Sequence, residues 1–369
     1  MQKIRILFEA YNYYHLPQYL PFCNLIKDDP RFDIYFTTTS TGDSVQERDS
    51  TLRHFAASGF RVIDADTEEL RRNAIDRFDP DFVIIGWSRK GYIQHVVHRP
   101  RRPVFIMIYH GIGIKAAYYR DNSRRVQYRV VESPYRMEQL KRHGCHATLL
   151  PAGYIKLDPL FHPDPRAIDA LRAEMRLDPR KKTVLYAPTF YPSSIGIVKD
   201  EIGGATRHCN LIVKLHNYTW FRPEHAAELA AMKDLAVHFD HVRLLPPDTA
   251  NVLPSMQVSD LMITDASSVM FEYLPLDRPL IVFARYKLIW RHWLFRYFFR
   301  KTRIDRETAG FKDFFDPIED PKKLRGLIDR NLSDPMRLSS ARRKCMKDTL
   351  YYTDGKSAHR LLEQFEKLI

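Results

Sequence analysis

The sequence predicts an α/β protein with doubly wound parallel sheets. Three observations lead there. Short apolar runs alternate with stretches of helical spacing, the order of a βαβ chain. Those runs, rich in Ile, Val and Phe, read as continuous rather than alternating, as strands covered on both faces do. They also fall into two groups, one before about residue 160 and one after about residue 180, in a chain whose 369 residues exceed a comfortable single core.

Taken in order, the strand candidates of the first group are residues 4–8, 32–36, 82–85 and 104–109, and those of the second are 183–186, 211–215, 261–263 and 280–283. Helical stretches lie between them. Residues 164–177 are one, with Asp164 as N-cap and Pro165 at the first helical position. The segment FHPDPRAIDALRAEMRLDPRKK separates the groups and, proline-bearing and charged, has the composition of a linker region. The expected architecture is two Rossmann-like domains, 1–165 and 180–350, facing each other across a cleft. Residues 351–369 form a C-terminal helix whose return to the first domain is open. In such sheets ligands bind at the carboxyl ends of strands.

Composition narrows the function classes. Hydrophobic residues make up 44% and charged residues 28%, an ordinary globular balance. No apolar run approaches the ~18 residues that span a bilayer. The opening MQKIRILFEA is too short for a signal sequence and reads as a first strand, so a cytoplasmic location is expected. The four cysteines, Cys23, Cys145, Cys209 and Cys345, lie far apart and form no C-x-x-C pair, so buried free thiols are expected. No metal-ligand cluster is recognisable, and neither metal nor cofactor is expected. The formal net charge of +13 suits a polyanionic partner: nucleic acid, anionic lipid or phosphorylated substrate. It concentrates around Arg99, Arg101 and Arg102 and in RHWLFRYFFRKTR, residues 291–303.

Four polar clusters follow strand candidates. In YHGIGIK, His110 ends an apolar run, and Gly111 and Gly113 permit close backbone approach. In YAPTF, Pro188 breaks the strand and Thr189 offers a hydroxyl. In LIVKLHN, Lys214 and His216 share one strand face by the period of two. In SDLMITDASSVMFEY, Thr264, Asp265, Ser267 and Ser268 stand where a buried strand feeds a helix. There Asp and Ser read equally as N-caps and as parts of an anion site at the helix start. Each cluster alone has an ordinary reading as a turn or cap. Two histidines, a lysine and a Ser-Ser helix start, all at strand ends, together suggest phosphate chemistry.

HGIGIK, GYIKLDPL, YAPTF, KLHN, SDLMITDASSVMFEY, DRPLIVF and DGKSAHR occur in the same order as in the CDP-glycerol glycerophosphotransferase family, which the chain resembles from about residue 104 to 360. The resemblance implies a GT-B fold and a transferase of teichoic-acid-type polymer synthesis. It moves glycerol phosphate from CDP-glycerol to a hydroxyl of a lipid-linked or glycan acceptor and releases CMP. The N-terminal half would take the acceptor and the C-terminal half the donor. The resemblance further implies that Thr264, Ser267 and Ser268 hold the diphosphate with Lys214, His216 and Thr189, and that Glu272 meets the ribose. His110 would be the general base. His216 and Asp265 complete the catalytic set, Asp265 by capping backbone or orienting a histidine. HGIG stands where the family has H-G-T-P, KLHN replaces R-x-H-P, and Ala266 replaces a common tyrosine. These departures leave the alcohol on the donor open between glycerol, ribitol and a sugar.

On a helix, residues 291–303 would set Arg296 and Arg300 on one side, Phe295 and Phe298 on the other and Trp293 between them. That suits a helix lying in an anionic membrane surface at the inner face of the cell membrane, and equally a packed helix with a basic outer face. Two other functions compete with phosphoalcohol transfer: a GT-B glycosyltransferase or sugar-nucleotide epimerase, and a non-catalytic basic protein binding membrane or RNA. No nucleic-acid-binding signature supports an RNA partner. Oligomeric state is not legible.

Overall fold

The computed structural model describes residues 3–39, 45–96, 103–113, 117–198, 201–265, 267–284 and 311–369. The chain divides into two compact units. The first comprises Met1–Gly111, Ala117–Pro159 and Leu350–Ile369, the second Ile112–Ala116 and Leu160–Thr349. Each is built on one parallel sheet among the described residues.

The first sheet contains β1 (Ile4–Glu9), β2 (Phe32–Thr37), β3 (Arg61–Ile63), β4 (Phe82–Ile85), β5 (Val104–Met107), β6 (Tyr128–Val130) and β7 (Thr148–Leu150), in the order β3-β2-β1-β4-β5-β6-β7. Successive side chains of β1 and β4 go to opposite faces. Ile6, Phe8, Phe82 and Ile84 join one core with Phe22, Phe36 and Phe365; Leu7, Val83 and Ile85 join another with Ile75, Tyr92 and Met107. Both faces are covered, which is why these strands read as unbroken apolar runs. The helix Ser357–Phe365 packs on the first core, its Phe365 ring 4.5 Å from that of Phe82. Its first turn is capped from far along the chain: the Asp158 carboxylate accepts the N–H of Ser357 at 3.0 Å and of Ala358 at 2.8 Å. Two of the family-like motifs, GYIKLDPL and DGKSAHR, are thus halves of one structural joint.

The second sheet contains β8 (Thr183–Tyr186), β9 (Asn210–Val213), β10 (Val242–Leu244), β11 (Leu261–Thr264), β12 (Leu280–Phe283) and β13 (Asp316–Ile318), in the order β10-β9-β8-β11-β12-β13. Val184, Tyr186, Leu211, Val213, Leu261, Ile263, Ile281 and Phe283 form its core. The segment expected as a linker carries the helix Pro165–Glu174 and belongs to this unit. Asp164 caps it by accepting the Arg166 N–H at 2.9 Å.

In both sheets the strand order reverses once, between β1 and β4 and between β8 and β11. Those are the topological switch points at which open α/β sheets take ligands, beyond the carboxyl ends of the strands. No helix among the described residues is long and apolar enough to cross a membrane. The basic run around Arg99, Arg101 and Arg102 and the whole of 291–303, with Trp293, Phe295, Arg296, Phe298 and Arg300, lie outside the described residues.

Candidate functional site

At the switch point of the second unit, Asp265 follows β11 and is completely buried. Its carboxylate accepts the Thr189 N–H at 2.8 Å and both the N–H and the hydroxyl of Ser194 at 3.0 Å. With the Ser194 proton so engaged, the Tyr186 hydroxyl donates to Ser194 Oγ at 2.8 Å. Thr264, also buried, donates its hydroxyl to the Ala187 carbonyl at 2.6 Å. The end of β11 is therefore sewn to the loop leaving β8. Asp265 caps backbone here, one of the two roles expected of it, and the Thr264 hydroxyl, expected at a diphosphate, donates within the fold instead. Thr189 contributes its backbone N–H to the same joint and its side chain is buried.

The two serines differ from that aspartate. Ser268 is the N-cap residue of the turn Val269–Glu272, yet its side chain makes no capping bond. Ser267 turns its N–H back on the Asp265 carbonyl at 2.6 Å. Both residues are half-buried, and among the described residues neither hydroxyl has a hydrogen-bond partner. Capping does not account for them. Glu272, expected at a ribose, is buried.

Lys214 and His216 stand just past β9, on either side of buried Leu215. Lys214 continues the strand pairing through its N–H to the Tyr186 carbonyl at 2.9 Å, while its ammonium donates to the Leu215 carbonyl at 2.9 Å. His216 caps the helix Asn217–Phe221, its Nδ1 accepting the Tyr218 N–H at 3.1 Å. The neutral ring therefore carries its proton on Nε2, as a donor. Phe190 packs 4.8 Å from this imidazole, and the Arg222 guanidinium lies 3.4 Å over the Tyr218 ring. Phe190, Tyr218 and Arg222 were not singled out from the sequence, where only their nearness to YAPT and KLHN marks them.

At the switch point of the first unit, Glu9 ends β1 and is completely buried. Its carboxylate faces Arg71 at 2.7 Å and accepts the Tyr92 N–H at 2.9 Å. Gly91, at φ +83°, runs so close that a Cβ there would sit 2.6 Å from the carboxylate oxygens. The loop after β4 is thereby pinned to the end of β1. His110 follows β5 and is half-buried among rings: His15 at 4.7 Å, Tyr109 at 4.9 Å, Tyr14 at 5.3 Å and Tyr118 at 6.3 Å. His15 is only 2% exposed, and burial drives its pKa down to about 3, so it is a neutral imidazole. Neither His15 nor the Glu9–Arg71 pair was anticipated, although a carboxylate closing an apolar strand in IRILFE is a visible signal. Gly111 is buried. Gly113, at φ +88°, is explained by a neighbour in its own unit, since a Cβ there would fall 2.7 Å from the Phe271 ring. The close approach expected at Gly113 is that of a side chain.

Among the described residues no group of three or more His, Cys, Asp or Glu side chains is placed to hold a metal ion. All four cysteines are free, three of them buried and Cys145 half-buried.

The model of a family described as CDP-glycerol:poly(glycerophosphate) glycerophosphotransferase matches residues 5–367. A teichoic acid ribitol-phosphate primase of Bacillus spizizenii is 29% identical over 146 residues, covering 37% of this chain and 35% of its own length. A teichoic acid glycerol-phosphate transferase of Staphylococcus aureus is 26% identical over 175 residues, 45% of this chain and 43% of its own length. The chain thus spans less than half the length of these relatives. In fold it is similar to the wall teichoic acid polymerase TagF, with a TM-score of 0.67 at 16% identity, covering 99% of this chain and 88% of that one. It is also similar to UDP-GlcNAc 2-epimerase from Neisseria meningitidis, with a TM-score of 0.63 at 11% identity, covering 99% of this chain and all of that one.

Proposed function

This chain belongs to the CDP-glycerol:poly(glycerophosphate) glycerophosphotransferase family, and on that premise we propose that it transfers glycerol phosphate from CDP-glycerol to a hydroxyl of a lipid-linked or glycan acceptor in cell-surface polymer synthesis. The acceptor oxygen attacks the β-phosphorus. The bond from that phosphorus to the bridging oxygen breaks, CMP leaves, and His110 takes the acceptor's proton. The reaction needs an anion cradle and a base, and each unit carries one of them. Ser267 and Ser268 supply hydroxyls for the diphosphate, while Lys214 and the Nε2–H of His216 stabilise its charge. The observation that carries this reading is the pair of half-buried serine hydroxyls without a hydrogen-bond partner among the described residues, beside a loop that Asp265 holds.

A nucleotide-release assay with CDP-glycerol, CDP-ribitol and UDP-sugars tests it. CMP release from CDP-glycerol is expected, with loss of roughly 10²–10⁴-fold in His110→Ala. Release of a nucleoside diphosphate from a sugar nucleotide would overturn it. CDP-ribitol belongs in the panel because one relative is named for ribitol phosphate. A lipid-linked acceptor and the net charge of +13 favour work at the anionic inner face of the cell membrane. Replacing Phe295, Arg296, Phe298 and Arg300 together should release the protein from anionic vesicles; undiminished vesicle binding would reject that docking.

A further inference from the structure

We propose that His15 is a positioning residue for His110, its imidazole supplying the hydrogen bond that His110 requires once it holds the acceptor's proton. The inference rests on the reading of His110 as the base. Four observations carry it. His15 lies in the segment after β1, at the switch point of its sheet. Its ring is 4.7 Å from that of His110, with 33° between the planes. Both of its ring nitrogens are buried and lack a hydrogen-bond partner among the described residues. Gly86 leaves room for it, since a Cβ on that glycine would stand 3.2 Å from His15 Nδ1.

A buried imidazole with neither nitrogen engaged destabilises a fold, and native proteins keep few such groups without a reason. The side-chain oxygen of Gln18, one turn further along, is in the same condition. Nothing described in this unit offsets that cost at His15. A charged neighbour would. His110 becomes one on taking the acceptor's proton, and a rotation of its half-buried ring about Cβ–Cγ is the movement that would bring a nitrogen to His15.

The two imidazoles also divide the roles between them. Deep burial keeps His15 neutral, so it accepts a hydrogen bond without competing for the proton, while His110 is the partly exposed member. Among the described residues, the titratable rings packed against the pair are tyrosines: Tyr11 and Tyr14 against His15, and Tyr14, Tyr109 and Tyr118 against His110. Burial raises the pKa of Tyr11 and of Tyr109, so both stay protonated. The charged groups stand one layer out: Arg129 lies 5.5 Å over the Tyr109 ring, Arg136 lies 5.4 Å over Tyr118, and Glu9 lies beside Tyr11.

The test compares the full chain with His15→Phe, His15→Gln and Gly86→Ala, following CMP release, the KM for CDP-glycerol, the pH profile of kcat/KM and thermal unfolding. His15→Phe should fold with an unchanged or higher Tm while kcat falls about tenfold and donor KM stays constant. Its acidic limb should move to lower pH by about one unit, because the imidazolium of His110 has lost its partner. His15→Gln, which keeps a hydrogen-bonding group, should recover part of the rate. Wild-type kcat and an unmoved acidic limb in His15→Phe would overturn the proposal. Gly86→Ala, which presses on the ring without removing it, decides the matter should His15→Phe not fold: a several-fold drop in kcat supports the proposal, and wild-type turnover overturns it. His110→Ala separates the two claims. Full activity there defeats the base assignment itself, whereas an inactive His110→Ala beside an unaltered His15→Phe defeats only the role of His15.

Discussion

Glu9 and Asp265 occupy equivalent stations. Each is a completely buried carboxylate at the carboxyl end of a switch-point strand, and each holds the loop that leaves the neighbouring strand. Their means differ. Glu9 accepts the Tyr92 N–H and the Tyr11 hydroxyl and also faces the Arg71 guanidinium, itself fully buried, whereas Asp265 accepts two backbone N–H groups and a hydroxyl with no ion pair among those bonds. A buried carboxylate must recover the hydration it gives up, and both an ion pair and a set of aimed dipoles can do so. The two solutions teach that one architectural task, fixing the loop beyond a switch-point strand, is met by whatever donors the local sequence brings. They also fail differently when one partner is removed.

The largest effect is expected at Glu9→Gln. It strands Arg71 as a buried charge whose remaining carboxylate partner, Glu68, is partly exposed, and should destabilise the first unit by about 3–5 kcal/mol in urea unfolding. Asp265→Asn should lose about 2–3 kcal/mol, since the amide nitrogen offers donors where donors already point. If Asp265→Asn proved the more damaging of the two, the contrast between ion pair and dipoles would be wrong.

The pH response of the first unit comes next. The folded pKa of His15, about 3, lies below the unfolded value of 6.5. As pH falls the unfolded chain binds the proton first, so stability is lost from about pH 6.5 downward and levels off near pH 3. Between pH 7 and pH 5 the loss should be about 2 kcal/mol, and His15→Phe should abolish that component. An identical pH slope in the variant would show that His15 titrates alike in the folded and the unfolded chain.

Asp158→Ala should cost about 1–2 kcal/mol and be felt locally, as faster amide exchange across Ser357–Phe365, because the helix loses its remote cap. The smallest stability change is expected at Ser267→Ala with Ser268→Ala: within about 0.5 kcal/mol, since no hydrogen bond within the described residues is lost. The KM for CDP-glycerol should nevertheless rise at least several-fold. A large loss of stability without a change in KM would return these serines to a structural role.

All eight runs expected as strands are strands, and the cap at Asp164 stands where its residue type put it. The strands that escaped notice are β3, β6, β7, β10 and β13, each of three residues. They sit at or next to the sheet edges, where a strand needs few apolar residues and leaves little pattern to read. Of the residues proposed for the site, Lys214, His216, Ser267 and Ser268 stand out in the sequence because polar side chains interrupt apolar runs at strand ends. His15 was not, because nothing in YNYYHLP distinguishes a histidine that will be buried against another from one that will face water.

By itself, then, the sequence determined the class of fold, the strand ends and the family, because apolar runs and their polar terminators are local and periodic. Only the tertiary structure decided which hydroxyls and carboxylates are occupied within the fold. Thr264 and Ser268 are four residues apart and equally polar, yet the Thr264 hydroxyl bonds to Ala187 while the Ser268 hydroxyl has no partner among the described residues. The physical reason is that hydrogen-bond partners are supplied by segments remote in sequence, 77 residues away for Thr264 and 199 for Asp158, so no local pattern records them.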